Sequence, residues 1–408
     1  MKQYRDLSVI DAAKERINFV FDKFEKVVLS FSGGKDSTVM FHLVADEARK
    51  RGRKFAVMAI DFEAQYKLTA DNMRAMFDMY SDCVEPYWIC LPIHLRNAAS
   101  NFEPWWLCWD QEKKSSWVRE MPDGAISDPS FFPFFQPGME FEEFIVLFAG
   151  WYSAGKNTAV FVGIRADESL NRYRTVASPA FLRNKEMFDG KPWTTKVTAS
   201  SYNAYPIYDW KVSDIWLYHK KNPAKPHNRI YDLMWLAGVS PSQQRLCQPY
   251  GDDQRRGLWL YHLLEPETWY KVVARVNGAN SMALYVEETG NVTGYNKISK
   301  PDGHTYKSFC QLLLTSLPKK SRDNFLERFR VFIRGWRRRG YTDDIPDQAP
   351  AVLENAHWAP SYRRLCKVLL RNDYWCKGLG LTQPKSEAYG KYLEIKKTLD
   401  KQKSQSYN

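Results

Sequence analysis

The chain has 408 residues, 44% of them apolar and 26% charged, which is ordinary globular usage with length enough for two domains and ample cores, and which excludes fibrous and disordered classes. Its formal net charge of +12 lies almost wholly toward the C-terminus: residues 258–408 hold 25 Lys and Arg against 15 Asp and Glu, residues 1–257 hold 34 against 32. No run of 18 apolar residues occurs, and the polar start Met1-Lys2-Gln3-Tyr4-Arg5-Asp6 carries no secretory core, so a chain without a membrane span and with a cytoplasmic location is expected.

Ser8 to Phe24, with Val9, Ala12, Ala13, Ile17 and Val20 at helical spacing, predicts a leading amphipathic helix. The apolar run Val27-Val28-Leu29-Ser30-Phe31 then predicts a buried strand. It runs directly into Ser32-Gly33-Gly34-Lys35-Asp36-Ser37 and a helical stretch through Lys50. Strand, tight turn and helix in this order make a phosphate cradle: the glycines allow a sharp turn and close approach, and free N–H groups at the positive end of the helix face an anion. Lys35 adds a mobile charge, and Ser32 and Ser37 add hydroxyls. The nucleotide loop of kinases and GTPases is excluded twice, because the required first glycine is Leu29 and the residue after Lys35 is Asp36.

Phe55 to Asp61 predicts a second strand, Tyr66 to Tyr80 a helix and Val84 to Ile93 a third strand, the alternation of a parallel sheet covered on both faces. Residues 94–140 break this rhythm with Trp105, Trp106, Trp109, Trp117, Phe131, Phe132, Phe134 and Phe135 among prolines and charges. The segment is too long for a plain connection. It reads either as a docking insertion whose aromatics stack on a base or partner, or as a local hydrophobic mini-core. Ala159 to Arg165 predicts a further strand, followed by Ala166-Asp167-Glu168-Ser169-Leu170-Asn171-Arg172-Tyr173-Arg174, which brings Arg165 and Arg172 to the carboxyl end of the sheet. From Leu258 onward helices dominate, with one hairpin expected around Tyr285 to Tyr295, so a second domain is expected over 258–408. There, Lys319 to Arg339 places Phe325, Phe329, Ile333 and Trp336 on one stripe and Arg328, Arg330, Arg334, Arg337 and Arg338 largely off it. Those arginines form either a phosphate-binding face or a solvated one.

The seven cysteines are odd in number and form no C-x-x-C pair, and the seven histidines are scattered. Neither a disulfide framework nor a structural zinc site is expected.

The loop 32–37 resembles the SGGxDS signature of the PP-loop ATP pyrophosphatases. The Gly163-Ile164-Arg165 to Arg172 segment resembles the fourth-strand segment of their phosphoadenosine phosphosulfate (PAPS) reductase branch. Tyr205-Pro206-Ile207-Tyr208-Asp209-Trp210, Ile230-Tyr231-Asp232-Leu233-Met234 and Gln244-Arg245-Leu246-Cys247 extend the likeness over roughly residues 20–250. The order of these segments looks most like the immunoglobulin-binding-regulator-A type, which is usually encoded beside a ParB-like partner. The resemblance implies an α/β, HUP-like parallel sheet over residues 1–257, carrying the PP-loop and the insertion 94–140, followed by a basic, mainly helical domain. It implies ATP or a related adenine nucleotide bound by Ser32, Gly33, Gly34, Lys35, Asp36, Ser37, Asp61, Gly163, Arg165, Glu168 and Arg172. Lys35, Asp36, Arg165 and Arg172 would act during cleavage between the α and β phosphates, and Asp36 would help hold Mg²⁺. Asp61 closes the second strand where adenosine would lie, and a helix cap is the competing reading. Alternatives are a nucleotide-sensing regulator that acts with a ParB-like partner or nucleic acid, and a PAPS reductase. The Glu-Cys-Gly-x-His motif of the reductases is absent; Cys376 and Cys247 are the nearest substitutes.

Overall fold

The structure, a computed structural model, describes residues 6–100, 102–177, 185–252, 258–279, 298–341 and 344–382. The hairpin expected at Tyr285 to Tyr295 and the division expected at Gly257 fall outside them.

Helix α1 (Val9–Lys23) starts at Ser8, whose Oγ accepts the Asp11 amide at 3.2 Å, and it buries Ala12, Ala13, Ile17, Val20 and Phe21 on one face. Strand β1 (Lys26–Ser30) and strand β2 (Phe55–Ile60) flank helix α2 (Lys35–Lys50), and helix α3 (Lys67–Met79) leads to β3 (Val84–Ile89). After the short antiparallel pair β4 (His94–Arg96) and β5 (Trp105–Leu107), helix α4 (Phe141–Ser153) returns the chain to β6 (Thr158–Val162). Helix α5 (Leu170–Ala177), β7 (Thr194–Lys196) and β8 (Ser201–Ala204) follow. The six-stranded sheet has the order β3-β2-β1-β6-β8-β7, and every pairing is parallel except β7 with β8. Strands β1 and β2 are nearly continuous in apolar residues because helices cover both faces of the sheet. The chain leaves β1 toward β2 and β3, then returns to the other side of β1 as β6. A crevice therefore opens at the carboxyl ends of β1 and β6.

Helices α6 (Val212–Lys221), α7 (Ile230–Leu236), α8 (Trp259–Leu264) and α9 (Pro266–Arg275) pack around this sheet. The first hydrophobic core includes Leu258, Tyr261, Val272, Val276 and Ala279. Residues 258–279, assigned by sequence to the C-terminal domain, thus bury their apolar faces with the α/β domain. A second core is built from α10 (Tyr306–Thr315), α11 (Lys319–Arg337), α12 (Ala351–Asn355) and α13 (Tyr362–Leu370). It holds Phe309, Phe325, Phe329, Phe332, Leu365 and Trp375. Among the described residues no helix is long and apolar enough to cross a membrane.

The insertion is a packed strap. Trp109 and Phe132 are buried, and Phe132 lies edge-on to Phe144, Phe148 and Trp151 of α4. A buried ion pair fixes the strap, with Arg275 Nε 2.7 Å from Glu63 Oε1; Glu63 Oε2 also accepts the Trp109 amide at 2.7 Å. The mini-core reading describes most of these aromatics, while Phe131 alone among the eight is strongly exposed.

Candidate functional site

The first turn of α2 and the loop before it form the floor of the crevice. Gly33 has φ +70°, and a Cβ there would come within 2.8 Å of Thr69 Cγ2, so only glycine fits without strain. Gly34 is the N-cap, and Ser37 Oγ donates back to its carbonyl at 3.1 Å and lies 3.1 Å from Ser32 Oγ. Asn228 Nδ2 holds the Gly33 carbonyl at 2.9 Å and also reaches Thr69 Oγ1 at 3.0 Å. The loop is thereby fixed from both α3 and the segment before α7. The amides of Gly33, Asp36 and Ser37 make no hydrogen bond to any described residue, which leaves donors at the positive end of a 16-residue helix.

Gly163, just beyond β6, lies directly under this turn: a Cβ there would meet Ser37 N and Cα at 3.2 Å. Close approach of two backbones is what this glycine supplies. Arg165 is 3% exposed, and its Nε donates to Asp36 Oδ1 while Nη1 reaches Asp167 Oδ1 at 2.5 Å. Lys35 is buried; its Nζ donates to the Gln244 carbonyl at 2.7 Å, lies over the Tyr231 ring and sits 3.7 Å from Asp36 Oδ2. Burial pulls the Lys35 ammonium below its ordinary range, and the Asp36 carboxylate opposes that shift.

The structure brings Ser32, Gly33, Gly34, Lys35, Asp36, Ser37, Gly163 and Arg165 together. It separates the others in part. Arg172 pairs with Glu168 at 3.0 Å, its side chain 42% exposed, and the Glu168 carbonyl accepts Arg245 at 3.0 Å. Asp61 caps no helix and faces no ligand. It is fully buried, its carboxylate taken by Arg119, by Trp88 Nε1 at 2.9 Å and by the Glu63 amide at 2.9 Å.

The neighbours of Asp61 do reach the crevice. A cleft of about 610 Å³, its open mouth included, extends from Ser32 along Met58, Ile60 and Phe62 to Gln65, Tyr66 and Cys247. Tyr66, 2% exposed, stacks on Tyr261 at 3.9 Å, and its hydroxyl finds no partner among the described residues; neither does buried Gln65 Oε1. A planar apolar group with polar edges suits these walls. Tyr231, whose hydroxyl accepts the Lys35 amide at 3.0 Å, and Gln244 lie in segments singled out by sequence. Asn228, Thr69 and Tyr261 carry no local signal.

Asp36 does not offer a ready site for Mg²⁺. Both its oxygens face cations, and no group of three or more His, Cys, Asp and Glu suited to a metal occurs among the described residues. Cys376 lies in the second core, buried, and burial pushes its thiol up to about 12; the expected substitute for a reductase nucleophile is an inert packing residue. Cys247 lines the cleft.

Fold and site define an α/β protein with an SGG-type loop at the switch point of a mainly parallel sheet. Residues 238–345 match a family described as a domain of unknown function (DUF3440). The chain is 41% identical over 391 residues to the uncharacterized protein YbdN of Escherichia coli K12, covering 95% of this chain and 94% of that one, and it belongs to the same family. Among solved structures, it is similar to a PAPS reductase from Candida auris in complex with phosphate (14% identity, 56% of this chain and 85% of that one, TM-score 0.30). It is likewise similar to an NMN synthetase from Francisella tularensis (13% identity, 73% and 100%, TM-score 0.31).

Proposed function

We propose that the crevice binds ATP or a close adenine nucleotide and cleaves it between the α and β phosphates, releasing AMP and pyrophosphate. The observation that carries this reading is the open amides of Gly33, Asp36 and Ser37, set beside buried Lys35 and Arg165 and continuous with the aromatic cleft. The outer phosphates take the loop amides and Lys35, and the adenine enters between Phe62 and Tyr66. The Tyr66 hydroxyl and Gln65 Oε1 then gain polar partners. An oxygen nucleophile forms a bond to the α-phosphorus as the bridging bond to pyrophosphate breaks. Lys35 and Arg165 offset the charge that grows on the leaving group. Any Mg²⁺ arrives on the nucleotide, and no step is assigned to it here.

The test is a product assay with full-length protein. AMP and pyrophosphate are expected, and Lys35→Ala should weaken nucleotide binding at least tenfold, about 1.4 kcal/mol, with its melting temperature retained. ADP and phosphate as products, or unchanged binding by the variant, would overturn the reading. The exposed Arg334, Arg337 and Arg338, which make no ion pair among the described residues, favour a second reading. In it, bound nucleotide is reported to nucleic acid or to a ParB-like partner with little turnover.

A further inference from the structure

Helix α13 presents Arg364, Lys367 and Arg371 at spacings of three and four, so the three cations share one face. That face lines a second pocket, in the C-terminal core, of about 610 Å³ with its mouth, together with His357, Glu354 and Asp373. The pocket is richer in positive charge than its acids suggest, because both acids are already committed. Glu354 Oε2 accepts Arg363 Nε at 2.9 Å, and its Oε1 accepts Ser361 Oγ and the Ala349 amide. Asp373 accepts the amides of Lys377 at 3.0 Å and Gly378 at 2.6 Å.

Arg364 is 5% exposed, yet its recorded partners are all neutral: the Ala359 carbonyl at 2.7 Å, the Gly378 carbonyl at 3.1 Å and His357 Nδ1 at 2.8 Å. No carboxylate among the described residues pairs with it. A buried guanidinium without a counter-ion is costly, and two more cations on the same helix face raise that cost. Those three neutral contacts orient the guanidinium, and Lys367 and Arg371 stand one and two turns along. An oxyanion in this pocket would supply the missing charge and accept charge-assisted hydrogen bonds from a fixed fork.

We infer that this pocket is a binding site for a tetrahedral oxyanion, phosphate or a phosphate monoester, separate from the crevice at the 32–37 loop. Arg364 anchors the anion, and Lys367 and Arg371 close over it. The site does not depend on the reading given to that loop.

The test is calorimetric titration of the full chain with inorganic phosphate and, separately, with glycerol 3-phosphate, in wild type and in Lys35→Ala, which removes a cation from the loop. Saturable binding that persists in Lys35→Ala and weakens at least tenfold in Lys367→Glu is expected. Tighter binding of inorganic phosphate would assign the free anion, and tighter binding of glycerol 3-phosphate an esterified one. Arg371→Gln provides a milder second variant should Lys367→Glu not fold, with the same direction expected. Binding unchanged by the α13 variants, binding lost wholly in Lys35→Ala, or no binding of either probe would each overturn the inference.

Discussion

Gly163 has no room for a side chain, because the Cβ it lacks would press on the backbone of Ser37 and Asp36. Gly163→Ala should therefore shift the loop rather than unfold the sheet: nucleotide affinity should fall at least tenfold while the denaturation midpoint changes little. Gly33 differs. Its φ of +70° costs about 1–2 kcal/mol for an L side chain, and Thr69 Cγ2 blocks the space, so Gly33→Ala should lower both stability and binding. Equilibrium urea unfolding alongside nucleotide titration separates the two effects. Equal stability loss in both variants would contradict this division. The glycine-rich loop was readable in the sequence because its six residues are contiguous. Tyr231, Asn228 and Gln244 make their contacts to it from about two hundred positions away, where no local pattern reveals them.

At the scale of elements, α2 carries a buried histidine whose protonation opposes folding. His42 Nε2 lies 2.8 Å from the Pro226 carbonyl and Nδ1 2.6 Å from the Tyr80 hydroxyl; with Nε2 as donor, the neutral ring satisfies both contacts. Burial lowers its pKa from 6.5 to about 4, and the same cause brings His219, on α6, to about 4. The unfolded chain binds more protons between these values, so stability should fall as pH drops from about 6.5 toward 4, by up to about 1.4 kcal/mol per pH unit for each histidine. Denaturant midpoints across this range should be flatter in His42→Gln than in wild type; identical slopes would exclude the assignment. Helix α11 shows where periodicity misleads. Arg328, expected off the apolar stripe, is 8% exposed; it donates to the Trp375 carbonyl at 2.9 Å and lies over the Trp375 ring. Arg330, Arg334, Arg337 and Arg338 are exposed as their spacing indicates. The aliphatic stem of arginine can cross an apolar face, so a charge in the pattern does not guarantee a solvated side chain.

On the scale of the whole molecule, the strap joins the two cores. Asn372, at φ +48°, donates to the Ala98 carbonyl at 3.2 Å and the Ser100 carbonyl at 2.9 Å, while the Arg96 guanidinium lies over the Tyr374 ring. Asn372→Ala removes both hydrogen bonds and a side chain that tolerates the left-handed region. It should cost about 1–3 kcal/mol and loosen the coupling between cores. Calorimetry should then show two resolved transitions where wild type shows one. A single transition at the wild-type temperature would mean that the cores are held together elsewhere.

The order of strands and helices through β6, the phosphate cradle and the basic character of the C-terminal part were determined by the sequence alone. Each is written in contiguous residues or in a short period: a β-branched run, a glycine pair before a helix, a count of charges. The tertiary structure decided the rest. It buried Asp61 beneath Arg119, folded the aromatic insertion into the first core, carried residues 258–279 into that core and turned Arg364 inward. These outcomes depend on which distant groups meet, and apolar surface is buried against whatever neighbour the topology supplies, regardless of separation along the chain.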